Sequence, residues 1–239
     1  MRIKSLFVFA VVVAIGVIAA SPAQASIVLT KLSDAHAFTF TNPYTPVSNT
    51  DLISGMAGTV SGGALKTYVG TPAEARLTDG ATISASVVDN DSFRNYSVQN
   101  DSNDVSVIYT LAAACYITQI DVYGGYEAGG DWSMGYHHYN IYYSTDGGST
   151  FTQLPATEYD PFTLNWGPGG SDPTVTKVSI TDTTGTLASN VDAIKINFNY
   201  TGTRCYEIDV LGSVVPEPAT MALMALGGFG LLLKRRRSK

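Results

Sequence analysis

Between residues 77 and 210 apolar and polar residues alternate in short runs broken by turn-forming clusters. Val105, Val107, Tyr109 and Leu111 alternate with Ser106, Ile108 and Thr110, which predicts a strand with one face in the core and the other partly covered. Ile117, Ile120 and Val122 predict a second strand that ends at Gly124-Gly125. Residues 139–144 and 151–154 flank Thr145-Asp146-Gly147-Gly148-Ser149-Thr150, a Gly-rich connection that reads as a hairpin. Three more runs, at 175–180, 194–198 and 206–210, complete this part, with a turn at Leu77-Thr78-Asp79-Gly80 and a short strand over 83–88 before it. Upstream the pattern weakens: Phe38-Thr39-Phe40 reads as a strand, Asn42-Pro43-Tyr44-Thr45-Pro46 as a turn, and 55–63 as a flexible Gly-containing loop. About nine short strands separated by turns predict an all-β antiparallel sandwich.

The two ends of the chain follow different rules. Arg2 and Lys4 precede an apolar run over 6–20, and Ala23-Gln24-Ala25 before Ser26 has the small-x-small form that signal peptidase accepts, so residues 1–25 are expected to be a signal peptide cut after Ala25. At the other end, 219–233 carry no charge and are followed by Lys234-Arg235-Arg236-Arg237. A helix of that length rises about 22 Å, short of the roughly 30 Å hydrocarbon core, so it spans with local thinning and snorkelling of its cations. Those cations favour the cytoplasmic side. Pro216 and Pro218 bracket Glu217 and keep the backbone extended before the apolar run.

This order of Pro216-Glu217-Pro218, short apolar helix and Arg-rich terminus resembles the PEP-CTERM sorting signal of exopolysaccharide-producing Gram-negative bacteria. The resemblance covers residues 214–239. It implies an exosortase, a membrane cysteine protease, as processing partner, with inner-membrane anchoring first and release to the cell surface or extracellular matrix afterwards.

Removing both ends changes the charge. Seven of the 14 Lys and Arg lie in the two end segments while all 20 Asp and Glu lie between them, leaving about −13 on residues 26–218. A surface of that sign repels nucleic acid and anionic lipid, and tolerates or recruits divalent cations. Residues 26–213 are long enough for a single core. Both cysteines, Cys115 and Cys205, lie in this exported part, where a disulfide between them is permitted; the alternative is two separate buried thiols.

Leu77-Thr78-Asp79-Gly80, Ile120-Asp121-Val122-Tyr123, Tyr143-Ser144-Thr145-Asp146-Gly147-Gly148 and Glu207-Ile208-Asp209-Val210-Leu211-Gly212 occur in an order and spacing similar to the discoidin-like, galactose-binding-domain-like sandwich, over residues 77–212. That resemblance implies a jelly roll whose members mostly bind sugars or surfaces through loops at one end, many with a structural calcium. Carried over by position, it nominates Asp79 and Glu207, with Thr82 or Ser84 and loop carbonyls, as calcium ligands, a donor set of hard oxygens. The bland alternative is that Asp79 makes an exposed turn and Glu207 pairs with Arg204 or water.

The segment 124–138 holds Tyr126, Trp132 and His137, and Trp166 lies in a second Gly-rich stretch. Flat aromatic faces with polar neighbours suit sugars; the competing reading is that these aromatics cap the core. His137 and His138 are adjacent, so on a strand they point to opposite faces. No HExxH, CxxC or phosphate loop is present. Glu207 and Asp209 share a strand face about 7 Å apart, within a glycosidase separation of about 5 to 9.5 Å, but without a cleft they read as surface solvation. The expectation is an exported, non-catalytic protein that binds extracellular polysaccharide through sandwich loops. A purely structural matrix component comes second and a secreted polysaccharide hydrolase last.

Overall fold

The computed structural model describes residues 26–35, 47–66, 73–80, 98–100, 104–126, 137–155, 158–159, 174–199 and 204–216. Eleven strands and one helical turn lie in them: β1 (Ile27–Ala35), β2 (Thr59–Ser61), β3 (Leu65–Lys66), α1 (Ala73–Arg76), β4 (Val98–Asn100), β5 (Val105–Tyr126), β6 (His137–Ser144), β7 (Thr152–Gln153), β8 (Glu158–Tyr159), β9 (Thr174–Asp182), β10 (Ala188–Phe198) and β11 (Arg204–Val214). Every pairing among them is antiparallel.

The two strands expected over 105–111 and 117–122 are one continuous strand of 22 residues, β5. Its first part pairs with β2 and β10, and its second with β11 and β9. The flanking ladders slip register between Ala193 and Ala188 on β10 and between Leu211 and Gly212 on β11. Bulges of this kind let a strand bend out of one layer into the next. Ala112, Ala113 and Ala114 occupy the bend, where small side chains crowd least, and Gly212 lies beside it: a Cβ there would come 2.0 Å from the Tyr116 carbonyl oxygen.

The bend must be sharp. Asn199 follows Phe198, which pairs with Val105, and Arg204 precedes Cys205, which pairs with Gly124. Five Cα steps from 199 to 204 reach at most about 18 Å, whereas a straight β5 would hold those partners roughly 60 Å apart. So β5 folds over on itself and forms part of both layers. One layer holds β2, the start of β5, β10, β6 and β7; the other holds β3, β4, β11, the end of β5, β9 and β1.

The core lies between them. Val107, Tyr109, Ile141, Ile194 and Ile196 meet Ile120, Val122, Val178, Ile180, Ile208 and Val210 in one buried cluster, each fully buried side chain contributing about 1.5 to 3 kcal/mol. Tyr139 packs edge-on against Phe198, centroids 6.5 Å apart at 75°. The expected hairpin forms, with Tyr142 opposite Gln153 and Tyr143 opposite Thr152.

One expectation changes, and two points left open by the sequence are decided. Residues 59–61 of the expected flexible loop are strand β2, because Thr59, Val60 and Ser61 pair with Ile108, Val107 and Ser106. Residues 27–35, unassigned by pattern, form β1 along β9. The cysteines do not bridge: both are buried and free. Cys115 lies opposite Val214 and Cys205 opposite Gly124, so nine residues of strand, about 30 Å, separate them, well past disulfide reach. Burial pushes both thiols up, Cys205 to about 12. The predicted strand over 83–88, Phe38-Thr39-Phe40 and the turn at 42–46 lie outside the described residues.

Folding β5 over defines two ends of the sandwich. At the open end Tyr126 and Ala35 both face Thr174, and His137 faces Tyr159. At the bend end lie the start of β1, where Ile27 faces Asp182, and the finish of β11, where Val214 faces Cys115.

Candidate functional site

Beyond Cys205, β4 no longer covers the outer edge of β11, and two loops take its place. The Ile208 N–H donates to the Leu77 carbonyl at 2.8 Å, and the Leu52 N–H to the Val210 carbonyl at 2.9 Å. Asp51 Oδ1 accepts from the Val210 N–H at 3.2 Å and from its own loop at the Ile53 N–H, 3.0 Å. The loops are tied to each other: the Gly55 N–H donates to the Thr78 carbonyl at 2.6 Å and the Thr78 hydroxyl to the Met56 carbonyl at 2.8 Å.

The Leu77-Gly80 turn follows α1 and needs glycine last, since Gly80 has φ +71° and a Cβ would press on Asn49 at 3.1 Å. This places the Gly80 N–H 3.1 Å from Glu207 Oε2. Asp79 is exposed and pairs with Arg76 at 3.3 Å.

Glu207 and Asp209 are not surface groups: they are 0% and 1% exposed. Loops 47–56 and 77–80 cover them, which the pattern along β11 alone does not reveal. Asp209 Oδ2 accepts from the Ser48 N–H at 3.0 Å and the Tyr123 hydroxyl at 3.2 Å. Behind them Lys177 pairs with Asp121 at 2.8 Å and lies 4.9 Å from the Tyr123 ring centroid. Yet Glu207 Oε1, Asp209 Oδ1 and Asp51 Oδ2 are buried with no hydrogen-bond partner.

Unmet buried carboxylate oxygens favour the neutral acid or a bound cation. Burial, then the neighbouring Asp209 and Asp79 charges, push Glu207 up to about 10. Burial, with a smaller effect of Asp51, pushes Asp209 up to about 6, and Asp51 is raised by its own burial. The Glu207 oxygen without a donor is a hard oxygen, and Asp79 is close enough to perturb it. Among the described residues no group of three or more His, Cys, Asp or Glu is arranged to hold a metal by side chains alone, so loop carbonyls or hydroxyls would have to complete the shell. Thr82 and Ser84, the hydroxyls nominated for it, lie outside the described residues.

Asp51 was missed because 47–56 has no periodic pattern; the only cue was an aspartate two residues ahead of the buried Ile53. Tyr126 ends β5 opposite Thr174, and His137 opens β6 opposite Tyr159. Trp132 and Trp166 lie outside the described residues; along the sequence 127–136 joins Tyr126 to His137, and 160–173 joins Tyr159 to Thr174. Ala23, Ala25, Glu217 and Pro218 also lie outside; Pro216 is exposed just beyond β11. Among the described residues no helix is long and apolar enough to cross a membrane; residues 219–233 are not among them.

Among solved structures the chain is similar to discoidin-type and carbohydrate-binding modules. One is the lectin domain of lectinolysin complexed with Lewis b antigen, 13% identical over 70% of this chain and 100% of that one, TM-score 0.44. Another is chitosan-binding module 1 of a chitosanase/glucanase from Paenibacillus sp. IK-5, 17% identical over 68% and 98%, TM-score 0.40. A third is an F5/8 type C domain from Bacteroides fragilis, 18% identical over 47% and 67%, TM-score 0.31. No curated protein matches the chain. Residues 214–237 match the PEP-CTERM protein-sorting motif, which takes in Pro216, Glu217, Pro218, the apolar run and the basic cluster, so the chain carries a C-terminal export signal with a membrane anchor that precedes processing.

Proposed function

We propose that this is an exported, non-catalytic protein that binds extracellular polysaccharide through loops at the open end of its sandwich. The observation that carries the reading is the strand register. Tyr126 pairs with Thr174 and His137 with Tyr159, so the residues that flank the Trp132-bearing and Trp166-bearing connections along the chain lie together at one end. Tyr126 and His137 flank the first of these connections. Strand β1 starts and β11 finishes at the other end, so an anchored protein would hold the open end away from the membrane. Signal peptidase cuts after Ala25, and exosortase processing at Pro216-Glu217-Pro218 releases the protein to the surface or matrix.

Calcium plays a structural part in this reading. Asp79 and Glu207, with Thr82 or Ser84 and loop carbonyls, would hold it, and its charge would neutralise the acids that the Leu77-Gly80 turn encloses. Calorimetry on the purified chain should show calcium binding that Glu207→Gln removes. A glycan array tests the ligand: wild type should bind, and Trp132→Ala and Trp166→Ala should each lose at least about tenfold, as expected when one stacked aromatic worth about 1.4 kcal/mol is removed. Absence of any glycan signal would favour a purely structural matrix component, and polysaccharide turnover a hydrolase. Mass spectrometry of the mature C-terminus reads out the processing step.

A further inference from the structure

At the bend end Asp146, Asp182 and Asp192 lie on the β6–β7 hairpin, β9 and β10, but the turn of β5 and the finish of β11 carry no charge. Residues 105–118 and 210–216 contain no charged side chain, in an exported segment that has 20 acids. These two stretches meet at this end: Ser213 faces Tyr116, Val214 faces Cys115, and the Val215 N–H donates to the Ala114 carbonyl at 2.8 Å. The side chains left outside are uncharged, with Thr118 and Ser213 among them and the rest mostly apolar. Ala112 and Ala113 are exposed, Tyr116 is 38% exposed and Val214 55%. Val28, 41% exposed, stands at the start of β1 at the same end.

We propose that this apolar edge rests on the lipid surface while the C-terminal tail is inserted. The inference takes the sorting tail as a membrane anchor and adds which face of the folded domain the bilayer meets. Chain length carries it. Val215 is hydrogen-bonded to the sandwich, and the uncharged run starts at Ala219, four residues on, a reach of about 14 Å at full extension. The headgroup layer takes up roughly 6 Å of that. The tether therefore holds the edge within a side chain or two of the headgroups. Tyr, with an apolar ring and a polar tip, suits that depth, and lipid contact removes from water the apolar surface that solvent otherwise meets. Lipid is favoured over a second protein copy because the tether delivers this edge, and no other, to the membrane.

The test uses the full chain reconstituted in phosphatidylcholine vesicles containing brominated lipid. An environment-sensitive fluorophore is placed in turn at Tyr116→Cys, Val214→Cys, Ser61→Cys and Met224→Cys, with buried Cys115 and Cys205 protected by the fold. Ser61 is exposed and pairs with Ser106, toward the open end. Labels at 116 and 214 should be quenched at least about threefold more than the label at 61. Quenching at 116 no greater than at 61, with 224 quenched, overturns the proposal and leaves the anchor standing. An unquenched label at 224 overturns both.

Discussion

Two aspartate-glycine turns in this sandwich have opposite hydrogen-bond outcomes. In the hairpin between β6 and β7, Asp146 Oδ1 accepts from the Ser144 hydroxyl and the Thr150 N–H, both at 2.9 Å, and Oδ2 from the Thr150 hydroxyl at 2.7 Å. Ser144 Oγ accepts in turn from the Gly148 N–H at 2.8 Å, and the Gly147 N–H reaches Asp192 at 2.7 Å. Gly147 and Gly148 take φ of 73° and 82°. The Thr150 and Ser144 hydrogen bonds hold the Asp146 carboxyl below its ordinary range.

The turn at Asp79-Gly80 closes instead over Glu207, which receives one N–H and keeps a second oxygen unmet. The first turn satisfies both oxygens of its own aspartate from within and leans on β10 only through Asp192, whose Oδ1 is unmet; the second encloses an acid that local donors do not satisfy. Similar dipeptides thus serve different ends, and the count of donors per buried oxygen separates them.

The largest effect expected of this difference is on pH dependence. Glu207 ionises near 4.5 when unfolded and near 10 when folded, so the unfolded chain loses its proton first and stability falls as pH rises through that window. With chelator present, raising pH from 5 to 8 should cost up to about 4 kcal/mol, at about 1.4 kcal/mol per unit, read as a falling Tm. Asp209, raised from 3.8 to about 6, adds to the fall at the acidic end. A Tm that rises over this range would remove the argument that Glu207 is neutral.

Calcium supplies the next effect. At one hundred times its Kd it should stabilise wild type by about 2.7 kcal/mol, or roughly 5 to 10 °C in Tm, and flatten the pH dependence. Glu207→Gln should keep the Gly80 contact and show neither the calcium shift nor most of the pH slope. An equal calcium shift in the variant would move the cation elsewhere.

Smaller effects test the turns themselves. Thr78→Val removes the hydroxyl that ties the two loops and should cost about 1 kcal/mol in chemical denaturation, with weaker calcium affinity in calorimetry. Asp146→Ala should lower Tm least, because solvent replaces its bonds, and leave the calcium shift intact. If Asp146→Ala diminishes that shift, the two turns are not independent.

How far the sequence could be read follows from the same contrast between local and distant contacts. Alternation found the strands at 105–111, 139–144, 175–180, 194–198 and 206–210, since a half-buried strand writes its two faces into consecutive residues. The Asp146 hairpin was legible because its glycines, aspartate and hydroxyls satisfy one another within a few positions. Asp79 and Glu207 were nominated through a resemblance and prove to be neighbours, yet Asp51 and Ser48, which close over the same edge, carry no pattern. β1 was missed because it follows no strict alternation: Val28 is exposed between apolar Ile27 and Leu29, and Leu32 is exposed between Lys31 and Ser33.

By itself the sequence determined the strand-forming character of the exported segment, its acidity, and the two apolar ends with their basic clusters, because each is a property of consecutive residues. Tertiary structure alone decided that β5 is one strand folded through both layers, that Cys115 and Cys205 lie too far apart to join, and that Glu207 and Asp209 are buried. Those outcomes depend on which distant segments pair and cover one another, and strand register over a hundred residues of separation is set by the packed core as a whole.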